Sequence, residues 1–105
     1  MKIFTLYIGM DQPGARENIL RILGESFASF TFIEGKGVFR GTVEPMLFVK
    51  VATMDSRLVI RVAENIRSAL KQDSVGIEYE NSYYKCTAAD QAADLTQRLE
   101  TENPV

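Results

Sequence analysis

The sequence predicts an α+β domain whose strands and helices run in the order β-α-β-β-α-β. Two periodicities and one count carry that prediction. Apolar residues alternate with a period of two in several short segments, as half-buried strands require. Between them, apolar residues recur at three- and four-residue spacing, as amphipathic helices require. The 105 residues, 46% hydrophobic, are enough for one core without disulfide staples and match one domain, residues 1–105.

Residues 2–9, KIFTLYIG, read as the first strand, bounded by Gly9. Asp11-Gln12-Pro13-Gly14 is turn chemistry that starts a helix. Ile19, Ile22, Leu23 and Phe27 give that helix its stripe over residues 14–28. Residues 29–40 form a second strand around Phe30, Phe32, Val38 and Phe39, with a bulge or bend expected at Glu34-Gly35-Lys36-Gly37. Gly41–Pro45 is a short connection, so the third strand, residues 46–53, returns antiparallel. Asp55 or Ser56 caps a second helix over 56–71, striped by Val59, Val62, Ala63, Ile66 and Leu70. Residues 74–80 form a fourth strand, with Val75, Ile77 and Tyr79 alternating; residues 81–86 continue it or turn away. Thr87-Ala88-Ala89-Asp90 resembles a capping box, and Ala93, Leu95 and Leu99 mark an extra C-terminal helix. Right-handed crossovers put the two central helices on one face of a four-stranded antiparallel sheet, the ferredoxin-like arrangement.

Composition limits the chemistry. Lys plus Arg number 12 against 14 for Asp plus Glu, a net charge of −2, which argues against binding to a nucleic-acid backbone. Histidine is absent, so Ser-His-Asp and Cys-His relays are excluded. No carboxylate cluster with metal-ligand spacing is visible, and no metal or other cofactor is expected. Cys86, the one cysteine, fits a reducing compartment. The start, Met1-Lys2-Ile3-Phe4, leaves no room for a signal-peptide core, and no apolar run approaches the ~20 residues that span a bilayer. A soluble cytoplasmic protein is the expectation.

Alternation also assigns the two faces of the sheet. Phe4, Leu6, Ile8, Leu47, Val49, Val51, Val75, Ile77 and Tyr79 should meet the helices. The other face carries Ile3, Thr5, Tyr7, Met46, Phe48, Lys50, Gly76 and Glu78. That face is about half apolar, where a solvated face is mostly polar. It reads either as a sheet with scattered exposed apolar groups or as an interface between copies of the chain.

Two segments carry a resemblance. Ile33-Glu34-Gly35-Lys36-Gly37-Val38-Phe39-Arg40 is similar to the end of the second strand of PII signal-transduction proteins. Val49-Lys50-Val51-Ala52-Thr53-Met54-Asp55 before a helix matches the same trimeric superfamily, which includes the CutA-type proteins and phage-encoded S-adenosylmethionine lyases. The likeness spans residues 2–80. PII proteins carry a long loop where this chain has Gly41–Pro45, and a glycine-rich phosphate loop where it has Lys71-Gln72-Asp73-Ser74-Val75. The short junction, and the order Gly37-Val38-Phe39, Glu44, Leu47, look more like the phage lyases. In those lyases the substrate lies between subunits, near a tyrosine and a glutamate, and its own carboxylate displaces methylthioadenosine.

The resemblance implies a homotrimer with an adenosine-containing ligand, S-adenosylmethionine or a nucleotide, between subunits. Glu44 takes the place of the lyase glutamate as the catalytic candidate, and Phe39 stands where the tyrosine would be. Tyr7, Lys36, Phe39, Arg40, Gln72 and Ser74 are the ligand-binding candidates. Plainer roles stand beside these: a solvated carboxylate for Glu44, charged protection of a sheet edge for Lys36 and Arg40, and turn chemistry for Gln72 and Ser74. Tyr83 and Tyr84 point to opposite faces, so at most one serves a given site. The alternative function is a phage or mobile-element inhibitor that binds a host protein or sequesters a nucleotide signal.

Overall fold

The computed structural model describes residues 1–87. They form β1 (Lys2–Gly9), α1 (Ala15–Ser26), β2 (Thr31–Phe39), β3 (Thr42–Thr53), α2 (Ser56–Ala69), β4 (Val75–Tyr79) and β5 (Ser82–Cys86). The expected β-α-β-β-α-β order is present, and a fifth strand follows it. All neighbouring strands are antiparallel, in the order β2-β3-β1-β4-β5. The C-terminal helix expected after Thr87 lies outside the described residues.

The four-stranded expectation fails at Glu80-Asn81. Both residues have positive φ, 50° and 65°, and form a two-residue turn that folds β5 back on β4. Such turns match the right-handed twist of paired strands. Arg40 and Gly41, at φ 50° and 81°, make the equivalent turn between β2 and β3. The connection expected at Gly41–Pro45 is therefore only these two residues, and Glu44 and Pro45 belong to β3. The expected bulge at Glu34–Gly37 is also absent, since β2 and β3 pair without interruption from Thr31–Lys50 to Phe39–Thr42.

Pro45 is tolerated because its missing N–H would face β1, not β2. Its carbonyl accepts from Met10 N–H at 2.9 Å, just past the end of β1. Glycines make room on the same sheet. The ring of Phe48 lies across Gly35, and a Cβ there would stand 2.6 Å from it. Met46 covers Gly37 in the same way.

The core lies on the helix side of the sheet. Phe4, Leu6, Ile8, Leu47, Val49 and Ile77 are fully buried against Ile19 and Leu23 of α1 and Val59, Ala63 and Ile66 of α2. Each such side chain contributes roughly 1.5–3 kcal/mol relative to exposure. Asp55 caps α2, its carboxylate accepting from Leu58 N–H at 3.1 Å. Glu64 of α2 ties β5 down. It pairs with Arg67 at 2.6 Å and accepts from the fully buried Cys86 thiol at 3.6 Å. The Arg67 guanidinium holds the Glu64 carboxyl below its usual range, while burial pushes the Cys86 thiol up to about 12. Among the described residues, no helix is long and apolar enough to cross a membrane.

Candidate functional site

The helix-free face ends in a cleft of about 470 Å³. One wall is the β2–β3 hairpin, which brings Phe39 and Glu44. The other is the α2–β4 junction, Lys71 to Ser74. Tyr7, Gly76 and Tyr83 lie between them. The volume falls in the range of small-molecule sites.

Register explains how distant residues meet. Glu44 pairs with Gly37, so its carboxylate shares the helix-free face with Met46 and Phe48. Tyr7 pairs with Phe48 on one side and Gly76 on the other. Its ring meets Phe48 edge-on at 5.5 Å and Tyr83 at 5.7 Å. Tyr83 in turn lies across Gly76, where any Cβ would collide with its phenol. Sequence reasoning left Tyr83 open and omitted it from the site. The signal was Gly76, a glycine inside a strand, which marks close approach by a neighbouring side chain. Tyr84 points the other way and is buried in the core.

The junction wall is pinned at three points. Gln12 donates to the Leu70 carbonyl, Arg67 donates to the Gln72 carbonyl at 3.2 Å, and Gln72 Nε2 donates to the Gly9 carbonyl at 2.6 Å. The last bond fixes the Gln72 amide, because the Gly9 carbonyl accepts only from an N–H. Gln72 Oε1 is then buried with no partner among the described residues. A buried acceptor left open is uncommon in folded proteins.

The cleft therefore gathers Tyr7, Phe39, Glu44, Gln72 and Ser74 from the sequence-based candidates. Lys36 and Arg40 are not brought in. Lys36 shares a face with Glu34, which pairs with Arg16 of α1 at 3.1 Å, so Lys36 lies on the helix side. Arg40 occupies the hairpin turn, its guanidinium 5.3 Å from the centre of the Phe39 ring. Around the cleft, Asp11, Glu44 and Asp73 face Lys71 and Lys85, a mixed field suited to a zwitterion.

Tyr7 also donates its phenol proton to Glu78. That bond, with burial, pushes the phenol up to about 12. The native state holds this proton more tightly than the unfolded chain, whose tyrosines titrate near ~10. The stabilisation is complete below pH ~10 and is lost as pH rises through about 12. Urea midpoints measured from pH 9 to 12 should fall over that window, and Tyr7→Phe should flatten the decline. An equal decline in the variant would show that Tyr7 does not carry it.

No protein-family profile matches the sequence, and no curated protein matches it. Among solved structures, the chain is similar to a phage SAM lyase in its apo state, with a TM-score of 0.61 and 17% identity, over 84% of this chain and 90% of that one. That likeness is one of fold: the chain has the fold of a SAM lyase.

Proposed function

We propose that this chain binds S-adenosylmethionine, or a close adenosine-containing relative, in the cleft between the β2–β3 hairpin and the α2–β4 junction. The observation that carries the reading is the convergence of Glu44, Phe39 and Gln72 on one cleft, in a fold shared with a phage SAM lyase. A turn of the Gln72 amide toward the cleft would give Oε1 an adenine amino group as the donor it lacks. Phe39 offers an apolar wall, and Glu44 an anion for the sulfonium.

In this reading the assembly is a homotrimer, and a sister chain closes the cleft from the helix-free side. The exposed Ile3 and the cluster of Tyr7, Phe48 and Tyr83 rings on that face support that placement. The reaction that suits such a site is lysis of the bound ligand. A carboxylate oxygen of the substrate attacks its own Cγ, and the Cγ–S bond breaks with its electron pair going to sulfur. Methylthioadenosine leaves and homoserine lactone forms, with no water or proton consumed. The protein supplies only the folded pose that brings carboxylate to Cγ, so histidine is not needed.

A thermal-shift series tests the binding. S-adenosylmethionine and methylthioadenosine should raise the unfolding midpoint, by the equivalent of about 2.7 kcal/mol at a hundredfold excess over Kd. ATP should not, because no glycine-rich phosphate loop precedes β4. Chromatographic release of methylthioadenosine then tests lysis separately. No shift with any adenosine compound would sink the reading and leave the alternative of an anti-defence inhibitor. That second reading is favoured by the hairpin tip, where Val38, Phe39 and Val43 are all more than half exposed.

A further inference from the structure

We propose that the free edge of β2 pairs with β2 of a second copy, antiparallel, about a twofold axis at Gly35. This contact uses the outer edge of β2 rather than the helix-free face; it meets the cleft only at the hairpin end, through Gly37 and Val38, and is argued without the ligand reading.

β2 is a sheet edge nine residues long, extended and free of bulges and proline. Such edges invite pairing with another chain unless they are short, bulged or heavily charged. The opposite edge, β5, has five residues, and the chain leaves the described region from that side.

The two-residue turn at Arg40-Gly41 makes Phe39 and Thr42 a hydrogen-bonded pair. Backbone groups of Thr31, Ile33, Gly35, Gly37 and Phe39 therefore face β3, and those of Phe32, Glu34, Lys36 and Val38 face outward. The Met10–Pro45 bond confirms this phase, since it sends the Pro45 carbonyl toward β1 and hence away from β2. Two copies can exchange hydrogen bonds only where outward residues oppose outward residues.

Charge then selects one register among those allowed. Centred on Gly35, Glu34 of each copy opposes Lys36 of the other, twice by symmetry, and Phe32 opposes Val38, also twice. A slip of one step either way sets Glu34 against Glu34 or Lys36 against Lys36 across the axis, which is destabilising. Glu34 in the favoured register sits between Arg16 of its own chain and Lys36 of the partner copy. Lys36 has no partner within the described residues. The sequence Phe-Ile-Glu-Gly-Lys-Gly-Val is thus self-complementary when read against itself in reverse.

The test is a charge exchange read by sedimentation velocity over a concentration series. Lys36→Glu sets four carboxylates along the shared edge and should weaken the pairing at least about tenfold. The particle mass should fall to half: from two chains to one, or from six to three if the helix-free face also assembles a trimer. Glu34→Lys alone should do the same, and the double exchange, Glu34→Lys with Lys36→Glu, should restore the wild-type mass. Lys36→Pro, which removes an outward N–H and leaves the β2–β3 ladder intact, should also halve it. Circular dichroism melts establish that each variant is folded. Unchanged mass in folded single-exchange variants overturns the proposal, as does a wild-type protein that stays a single chain or an odd assembly at high concentration. Loss of ligand binding with the mass response intact would instead bear only on the cleft.

Discussion

Replacing Glu44 with lysine is expected to weaken S-adenosylmethionine binding about 100-fold while leaving the fold unchanged. Glu44 lies within β3, and its side chain forms no hydrogen bond or ion pair with the described residues, so no side-chain contact is broken. A charge-assisted contact contributes roughly 1.5–3 kcal/mol, and reversal adds repulsion of the sulfonium; about 2.7 kcal/mol is a factor of 100. Glu44→Gln removes charge without reversing it and should cost about tenfold, a loss of ~1.4 kcal/mol. Calorimetric titration gives the affinities, and urea unfolding establishes the control. If both variants bind as the wild type does, Glu44 is a solvated carboxylate and the cation sits elsewhere.

Phe4→Ala is expected to destabilise the domain by about 3–5 kcal/mol. Phe4 is fully buried in β1, opposite Val51, and its ring stacks on Tyr79 with centroids 4.8 Å apart. Truncation leaves a cavity between a packed sheet and two helices, where collapse is restricted. A domain of this size has roughly 5–15 kcal/mol in total, so the loss is a large share of it. The melting midpoint should drop by on the order of 20 °C. Met54→Ala, at a side chain 65% exposed, is the contrast and should stay within about 0.5 kcal/mol. A Phe4 variant as stable as that control would mean that the helix-side core is not what holds the sheet together.

The helix side of the sheet was legible in the sequence because burial imposes a pattern. Alternation in β1, β3 and β4 names residues that are all nearly or fully buried, and Asp55 caps α2 as its side-chain chemistry demands. β5 was harder to read because its turn, Glu80-Asn81, holds positive φ without a glycine. Pro45 obscured Glu44. A proline reads as a strand breaker, and only the pairing shows that its missing N–H falls beyond the end of β1. The candidates divide by the same logic. Lys36 and Gly37 are one residue apart, and one residue decides which face a side chain takes. Without a known register, Lys36 and Glu44 look like neighbours, whereas the ladder puts them on opposite faces. The open acceptor of Gln72 depends on a bond to Gly9, distant in sequence, and no local pattern announces it.

Amide resonances followed during titration with S-adenosylmethionine give the most direct test. Gly9, Gly37 and Gly76 border the cleft, whereas Gly24 lies in α1 on the far side of the sheet. Saturable movement of the first three with Gly24 still is the predicted result. A spectrum that stays unchanged at millimolar ligand, or shifts gathered around α1, would contradict it.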